Sequence, residues 1–230
     1  MSVRDRRVQY ETAGLERTDL DDDPIVQWNI WYEEASSAGV AEPNAMTVST
    51  IDKNSAPDSR VVLTRGVDKN GFVFYTNYDS AKSLQLITNP VASAVFAWLD
   101  LHRQVRVRGT VQRVSERQSD EYFASRPRES QIGAWASPQS QVIPDRGFIE
   151  ARLIEVREKF SDKPVTRPKT WGGWCIVPTA IEFWQGRPSR LHDRFVYTRR
   201  ASDSPWRIER LAPELCLILP RFRARNQRGN

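Results

Sequence analysis

The stretch FWQGRPSRLHDRF, residues 183–195, gathers three arginines and one of the chain's two histidines. Arg190, His192 and Arg194 stand at alternate positions, so in an extended strand their side chains would project from one face. Like charges on one face repel each other unless an anion or an acid lies among them, and histidine most readily changes charge near neutral pH. The pattern favours an anion pocket that contains a proton-transfer group. The alternative is a solvated strand face that Asp193 compensates.

A second polar cluster occupies residues 125–141, SRPRESQIGAWASPQSQ. Arginine, serine and glutamine side chains lie there near the ends of short predicted helices: Arg126, Arg128, Ser130, Gln131, Gln139 and Ser140. A guanidinium, a hydroxyl and a helix N-terminus together hold phosphate well. The cluster therefore predicts phosphate binding, and the alternative is a polar loop whose side chains only cap helices.

A third set of polar residues begins with Arg60 and Arg65 in RVVLTR. Their odd spacing predicts opposite faces of a flat strand, so that one could serve each of two anions or one could be exposed. Tyr75, Thr76 and Lys82 add hydroxyls and a cation near the end of the next predicted strand.

Other chemistries find little support in the sequence. Cys175 and Cys216 lack the spacing of metal ligands, and we predict no metal site. The motifs of a nucleophile elbow, a phosphate-binding P-loop and a dinucleotide fold are absent. His102, at a predicted strand junction, is interpreted as structural or exposed.

Composition narrows the partners of the chain. The 230 residues carry a net charge of +5, and only six of the 34 basic residues are lysine. Arginine binds phosphate through a planar fork of donors, although a general preference for arginine as surface charge is the alternative. Nucleic acid binding is a rival hypothesis, but residues 1–23 hold four basic and seven acidic groups, which argues against a basic arm. With no apolar run near the roughly 20 residues of a membrane span and no secretory signal, we expect a cytoplasmic protein.

The element pattern predicts an α+β protein built on a small antiparallel barrel. A helix is expected from Pro24, capped by Asp23, to Gly39, after a polar arm over residues 1–23. Strands are predicted for AMTVSTI, SRVVLTRGV, FVFYTN, ASAVFAWLDL, RQVRVRGTVQRVS, CIVPTAIEFWQG, RLHDRFVYTR and WRIERLAP, with DKNG as a hairpin turn. Further helices are predicted for SAKSLQLITNP, after Ser115, over residues 130–137 and in DRGFIEARLIEVREKFSD, and KPVTRPKTWGGW is predicted as a loop.

Taken together, the motifs resemble the pyridoxine (pyridoxamine) 5′-phosphate oxidase family. The resemblance runs from about Arg7 to Pro213 through RVVL, FVFYTN, RQVRVRG, YFASRPRESQIGAWASPQS, WGGW, EFWQGRPSRLHDRF and RLAP. It implies an FMN-binding split β-barrel, antiparallel and Greek-key-like with peripheral helices, that works as a homodimer with FMN at the subunit interface. It also implies three segments: an arm over 1–23, the oxidase domain over 24–213 and an extension of unassigned role over 214–230.

The resemblance also implies roles for individual residues. Cofactor contacts would fall on Arg60, Val61, Arg65, Tyr75, Thr76, Lys82, Gln104, Gln139, Ser140, Trp184 and Arg194. Substrate contacts would fall on Arg7, Tyr10, Arg65, Tyr122, Arg126, Ser130, Arg190 and His192, of which the last two are the catalytic candidates. Family members commonly carry Lys where this chain has Arg65, and arginine can still hold a phosphate there with a different geometry. They often carry a basic residue where this chain has Ala81, so one phosphate contact is expected to be lost at that position.

The implied reaction oxidises the C4′ carbon of pyridoxine 5′-phosphate or pyridoxamine 5′-phosphate to give pyridoxal 5′-phosphate. FMN takes the hydride, and O2 takes the electrons to give H2O2. The alternative within the same fold is a flavin oxidoreductase that acts on another substrate, such as a phenazine precursor. Neither reading implies a nucleic acid or membrane partner.

Overall fold

Eight antiparallel strands and five α-helices make up the part of the chain that this computed structural model describes, residues 10, 12 and 14–213. The strands are β1 (Ala45–Ile51), β2 (Pro57–Asp68), β3 (Gly71–Asn77), β4 (Val91–Trp98), β5 (Arg103–Arg113), β6 (Trp171–Gln185), β7 (Asp193–Thr198) and β8 (Arg207–Arg210). The helices are α1 (Pro24–Ser37), α2 (Ala81–Thr88), α3 (Glu116–Ser125), α4 (Arg128–Ala136) and α5 (Arg146–Lys159).

Six of the strands close into a barrel. The hydrogen-bonded order is β3-β2-β1-β4-β5-β6-β7-β8, and an additional pairing of β3 with β6 closes the first six strands on themselves. Strands β7 and β8 continue the sheet outward from β6. The predicted α+β class and antiparallel barrel are confirmed.

Aromatic side chains fill the barrel. The ring of Trp28, on α1, meets Phe72 edge-on at 5.6 Å and Phe96 at 5.2 Å, and all three side chains are buried. Alternation along β4 and β5 points Phe96 and Val105 inward, and in β5 it points Arg106 and Arg108 outward. Helix α1 thereby anchors one end of the barrel through aromatic burial.

The helix boundaries follow local capping chemistry. The Asp23 carboxylate accepts a hydrogen bond from the Ile25 N–H at 2.8 Å, and Pro24 occupies the first turn of α1. Ser115 caps α3 in the same way by accepting from the Gln118 N–H at 3.1 Å. Both predicted helix starts are confirmed.

Helices α3, α4 and α5 form a second, smaller core beside the barrel. Phe123, Ile132, Val156 and Phe160 are buried there against Trp171, the first residue of β6. The layer packs α3 and α4 against Trp171 at the start of β6, and the residue 125–141 cluster runs from the end of α3 through α4 to the segment that follows it.

The strand predicted for RLHDRFVYTR begins three residues later than predicted. β7 starts at Asp193, and Pro188–Arg190 form a short 3-10 turn in which Ser189 and Arg190 have φ values of 56° and 62°. Pro188 has no N–H for a strand ladder, and left-handed residues interrupt an extended chain. The prediction that Arg190, His192 and Arg194 share one strand face is therefore wrong.

The loop predicted for KPVTRPKTWGGW also ends earlier than predicted, because β6 begins at Trp171. Gly172 and Gly173 pair with Thr76 and Tyr75 of β3. A β-carbon on Gly172 would lie 2.2 Å from the Tyr78 hydroxyl, and one on Gly173 would lie 2.8 Å from the Tyr75 ring. The glycines are strand residues that admit two tyrosines, not loop residues.

The described part of the N-terminal segment packs against the barrel. Leu15 and Leu20 belong to the main core, although the sequence predicts a polar arm without an apolar face. The Leu15 N–H donates to Asp193 at 2.9 Å, and the Tyr197 hydroxyl donates to the Asp21 carbonyl at 2.6 Å. Arg7 and the 214–230 extension lie outside the described residues.

Within those described residues, no helix is both long enough and apolar enough to cross a membrane.

Candidate active site

A cavity of 1060 Å³ lies between β2, β3 and the helices α2–α4. Ten predicted site residues line it: Arg60, Val61, Arg65, Tyr75, Thr76, Lys82, Tyr122, Arg126, Ser130 and Gln139. Trp171 and Asn77 also line it and were not predicted. Two of the three polar clusters of the sequence thus contribute to one cavity, the RVVLTR set with FYTN and the 125–141 cluster, while the 183–195 cluster lies elsewhere.

Two cations form one end of the cavity. The Lys82 side chain is only 7% exposed, and its ammonium donates to the neutral Thr76 hydroxyl at 3.2 Å. Burial lowers the pKa of Lys82, and the nearby Arg60 lowers it further against an opposing effect of Asp58. Since burial and a neighbouring cation both disfavour its charge, a bound anion would stabilise Lys82 there.

A break in strand pairing places Arg65 at the same cavity as Arg60. The register of β2 against β3 shifts between Thr64 and Gly66, so Arg65 is an extra residue of a β-bulge. Both arginines line the cavity, as do residues 61–63 between them, and Arg65 is exposed, which is one of the two outcomes expected from their odd spacing.

Three nearly parallel aromatic rings form a wall of the cavity. Tyr75 stacks on Tyr122 at 4.0 Å and on Trp171 at 5.5 Å, with interplanar angles of 15° and 8°. The Arg126 guanidinium lies 4.7 Å from the centre of the Trp171 ring. A flat wall of this kind suits a planar aromatic ligand. Trp171 escaped prediction because WGGW was interpreted as a loop.

Arg126 carries the clearest unmet hydrogen-bonding capacity in the cavity. Its Nη1 atom is buried and has no partner among the described residues. Burial lowers the pKa of Arg126; Tyr122 opposes this effect and Arg65 adds to it. A buried guanidinium donor without a partner is unfavourable unless an anion or a polar ligand group accepts from it.

Gln139 lines the cavity, whereas its neighbour Ser140 does not. The Gln139 carbonyl oxygen accepts from the Thr76 hydroxyl at 3.3 Å and from the Asn77 N–H at 3.2 Å, so Gln139 is tied to the end of β3. Ser140 is exposed, has a φ of 68° and lies outside the cavity lining.

A second group of predicted residues lies across three neighbouring strands. Gln104 of β5 is paired with Trp184 of β6, which is paired with Arg194 of β7. His192 lies 4.6 Å from Trp184 between ring centres and 5.7 Å from Tyr10. None of these five residues lines the 1060 Å³ cavity.

Arg194 is the most constrained member of this second group. Its side chain is 8% exposed, its Nε donates to Glu182 at 2.8 Å, and its Nη1 donates to the Ala212 carbonyl at 3.3 Å. Arg106 contacts the other oxygen of Glu182 at 3.1 Å. The buried ion pair fixes the orientation of the guanidinium.

A hydrogen bond from a backbone N–H fixes the tautomer of the neutral His192 ring. Its Nδ1 accepts from the Arg187 N–H at 3.1 Å, which leaves the proton of the neutral ring on Nε2. Burial lowers the pKa of His192, and the charge of Arg190 adds to that effect while Asp193 opposes it. At neutral pH the ring is therefore an uncharged donor at Nε2, beside the exposed Arg190.

His102 packs on the same aromatic group. Its ring lies 4.1 Å from that of Tyr10, and its backbone is left-handed with a φ of 51°. Its carbonyl accepts from the Gly186 N–H at 2.7 Å. These contacts are compatible with its interpretation as a structural or exposed residue, which stays a prediction.

Family models match the chain in two regions. The model described as pyridoxamine 5′-phosphate oxidase matches residues 32–160. The model described as the pyridoxine 5′-phosphate oxidase C-terminal dimerisation region matches residues 171–213, which include β6, β7 and β8.

Curated relatives and solved structures give the same picture. Proteins named pyridoxine/pyridoxamine 5′-phosphate oxidase are 52% identical in Burkholderia thailandensis and 51% identical in Burkholderia mallei, covering 92% of this chain and 99% of each relative. PhzG from Burkholderia lata, solved with tetrahydrophenazine-1-carboxylic acid, is 26% identical with a TM-score of 0.82, over 90% of this chain and all of that chain. An FMN-binding protein of Nostoc punctiforme, 17% identical with a TM-score of 0.66, covers 84% of this chain and all of its own, and shares the fold.

Proposed function

The chain belongs to the pyridoxamine 5′-phosphate oxidase family, and on that premise we propose that it is an FMN-dependent pyridoxal 5′-phosphate synthase. It oxidises pyridoxine 5′-phosphate and pyridoxamine 5′-phosphate to pyridoxal 5′-phosphate, with O2 as electron acceptor and H2O2 as product. The high identity to relatives of that name supports this reading over the whole domain.

The observation that carries the proposal is that two pairs of cationic side chains line the same cavity as one aromatic wall. Arg60 and Lys82 influence each other electrostatically, and so do Arg65 and Arg126. Both pairs line the cavity that contains the stacked Tyr75, Tyr122 and Trp171. FMN and the substrate each combine a planar ring with a phosphate, so the cavity offers suitable partners for two ligands of this kind.

The donors at the Lys82 end fit the phosphate of FMN. Lys82 is a buried cation whose contact is a neutral hydroxyl, and Arg60 lies beside it. Arg60, Val61, Arg65, Tyr75, Thr76, Lys82 and Gln139 would hold FMN from one chain, with Ser140 at the cavity's edge. Gln104, Trp184 and Arg194 would hold it from the partner chain.

Arg126, whose buried Nη1 has no hydrogen-bond partner among the described residues, fits the phosphate of the substrate. With Arg65, Tyr122 and Ser130 it lines the remaining part of the cavity. Arg190, His192 and the arm residues Arg7 and Tyr10 would complete the substrate site from the second group.

In the reaction, bound FMN supplies the ring that accepts a hydride from C4′ and returns the electrons to O2. Arg190 orients the substrate through its guanidinium fork. His192 holds a proton on Nε2 and is uncharged at neutral pH, so it can donate to a substrate oxygen or take part in proton movement. The Tyr10 and Trp184 rings pack beside the imidazole.

We further propose that the working form is a homodimer with two composite sites. The two groups of candidate residues do not share a cavity within one chain, and the second group lies in or beside the region that matches the family's dimerisation model. A second chain that docks this region against the cavity would bring the groups together. Val61, which lines the cavity and is 66% exposed, would then be covered.

Within this proposal, residues 24–213 form the oxidase domain, residues 1–23 the arm and residues 214–230 the extension. The cytoplasm is the proposed location, since Cys175 is a free, buried thiol.

An oxidase assay on the purified protein tests the proposal. After addition of FMN and removal of the excess, we expect flavin absorption bands that persist with the protein. Pyridoxine 5′-phosphate or pyridoxamine 5′-phosphate should then yield H2O2 and pyridoxal 5′-phosphate in equal amounts. A protein that retains no flavin, or that retains it and leaves both substrates unchanged, would contradict the assignment.

The second candidate function is oxidation of a reduced phenazine, because the PhzG structure shares the fold across nearly the whole chain. The same assay with tetrahydrophenazine-1-carboxylic acid separates the two. Turnover of that compound with no turnover of the vitamin phosphates would favour the second function.

A further inference from the structure

Arg60 is held by a closed ring of hydrogen bonds. The other members of the ring, Thr50, Asp58 and Gln85, are not among the candidate site residues. Its Nη1 donates to the Thr50 hydroxyl at 2.5 Å, and its Nη2 donates to the Gln85 carbonyl oxygen at 3.2 Å. Asp58 forms an ion pair with the same Nη2. Three elements therefore converge on one guanidinium: β1 with Thr50, β2 with Asp58 and α2 with Gln85.

The hydrogen bonds of the ring determine the orientation of each partner. The Thr50 hydroxyl accepts from Arg60 and donates to Gln85. The Gln85 oxygen accepts from both, while its Nε2 donates to Asp58 at 3.0 Å. A flipped amide would direct its NH2 group at the guanidinium and its oxygen at the carboxylate, so only one orientation satisfies all the partners.

Burial makes the Thr50 hydroxyl the rigid centre of the ring. Thr50 is 1% exposed, whereas Asp58 is exposed and Gln85 and Arg60 are half-buried. A buried side chain has one conformation available to it, so the position of its hydroxyl is set by the barrel itself. Gln85 lies one turn after Lys82 on α2, and it links the helix that carries one cation to the strand that carries the other.

We propose that Thr50 and Gln85 are positioning residues for phosphate binding, which aim the Arg60 guanidinium at the same anion as Lys82. The inference rests on the proposed function, in which Arg60 and Lys82 bind the phosphate of FMN. Removal of the Thr50 hydroxyl or the Gln85 amide leaves the charge of Arg60 intact but no longer holds its guanidinium in one orientation. Because a long side chain loses conformational entropy when it is ordered on binding, the affinity for the phosphate should fall.

The test compares FMN with riboflavin, which has the same ring and no phosphate. In apoprotein titrations followed by flavin fluorescence, Thr50→Val, which replaces the hydroxyl by a methyl group, should weaken FMN binding at least about fivefold. Thr50→Ser keeps the hydroxyl and should remain within about twofold of the wild type. Gln85→Met should act like Thr50→Val. Riboflavin affinity and kcat at saturating FMN should not change in any of these variants.

A matched control is available on the same helix. Thr88→Val removes a hydroxyl that is exposed and bonds only locally, to the Leu84 carbonyl at 3.1 Å, and it should bind FMN like the wild type. The free energy of unfolding of each apoprotein shows whether a variant is folded, and Gln85→Met keeps the test possible if Thr50→Val is not.

The outcomes separate this inference from the proposed function. If the wild type does not bind FMN, or if Arg60→Met binds it normally, the proposed function fails. If Arg60→Met loses affinity for FMN while folded Thr50→Val and Gln85→Met bind like the wild type, the positioning role alone is wrong. Equal losses for FMN and riboflavin would also overturn it, since they would indicate a general structural effect.

Discussion

Arg190, His192 and Arg194 lie within five residues of one another, yet their surroundings differ. Arg194 is buried against Glu182, whereas Arg190 is exposed on a left-handed turn and His192 is half-buried beside Trp184. The proposed function assigns Arg194 to FMN and the other two to the substrate. This difference in surroundings makes the two roles separable by substitution.

We predict that Arg190→Met and His192→Asn bind FMN like the wild type but lower kcat/KM for pyridoxine 5′-phosphate at least about tenfold, because each removes a contact to the reacting substrate. Arg194→Met should weaken FMN binding first, since it removes a proposed FMN contact and leaves the buried Glu182 paired with Arg106 alone. Flavin titrations and steady-state kinetics measure the two effects. Normal turnover by both Arg190→Met and His192→Asn would mean that this turn has no catalytic role.

The lowered pKa of His192 predicts a pH effect on stability. The unfolded chain binds a proton near pH 6.5, whereas the folded protein binds it only at lower pH. Stability should therefore fall as the pH drops from 6.5 towards the folded pKa and then lose no more from this group. The groups that face or adjoin the imidazole are Tyr10, Trp184, Arg187, Arg190 and Asp193.

Urea unfolding at pH 7 and pH 5 should show a smaller loss of stability for His192→Asn than for the wild type. In an NMR titration of the ring protons, Arg190→Met should raise the pKa of His192, because it removes a neighbouring positive charge. An unchanged pKa would show that Arg190 does not influence the imidazole.

At the level of the elements, the glycines of β6 provide the most direct test of the aromatic wall. We predict that Gly173→Ala destabilises the protein by about 1–3 kcal/mol, since its β-carbon would lie 2.6 Å from Val114 and 2.8 Å from the Tyr75 ring. Because Tyr75 belongs to the aromatic wall of the cavity, its displacement should also raise the KM for pyridoxine 5′-phosphate. The control is Gly133→Ala in α4, where nothing lies within 4 Å of the added carbon and where alanine should stabilise the helix by about 0.5–1 kcal/mol. Thermal unfolding of both variants decides the matter.

The C-terminal extension gives a second prediction at this level. The family model ends at residue 213, at the end of the RLAP motif. We expect deletion of residues 214–230 to leave oxidase activity within about threefold, since the candidate site residues precede the cut. Loss of FMN binding on deletion would show instead that the extension, which contains the apolar stretch LCLILP at residues 215–220, belongs to the fold.

Regular periodicity explains which elements could be predicted. Helix α1 and strands β1–β5 follow from apolar alternation and local caps, and these signals are short-range. The bulge at Arg65, the turn at Arg190 and the strand start at Trp171 depend on partners distant in sequence, such as Tyr75 beside Gly173. Residue types together with the family resemblance therefore identified ten of the cavity-lining side chains, whereas the grouping of the candidates into two separate sets required the folded chain.

At the level of the whole molecule, the separation of the two groups of candidate site residues within one chain predicts a dimer. We expect the flavin-loaded protein to sediment as a dimer at micromolar concentration, since a stable interface buries roughly 1,200 Å² or more. Arg194→Met, which alters the dimerisation region, should show concentration-dependent loss of flavin if the interface weakens with it. A flavin-loaded monomer would contradict the composite site.

Composite sites also change how defects combine. In the proposed symmetric dimer each site would take the cavity from one chain and the row of Gln104, Trp184 and Arg194 from the other. When a chain substituted only at Lys82 pairs with a chain substituted only at Arg194, one site of the dimer contains both substitutions and the other site contains neither. Two inactive proteins, mixed and allowed to exchange subunits, would thus recover part of the activity that neither has alone, and two defective alleles in one cell would complement each other.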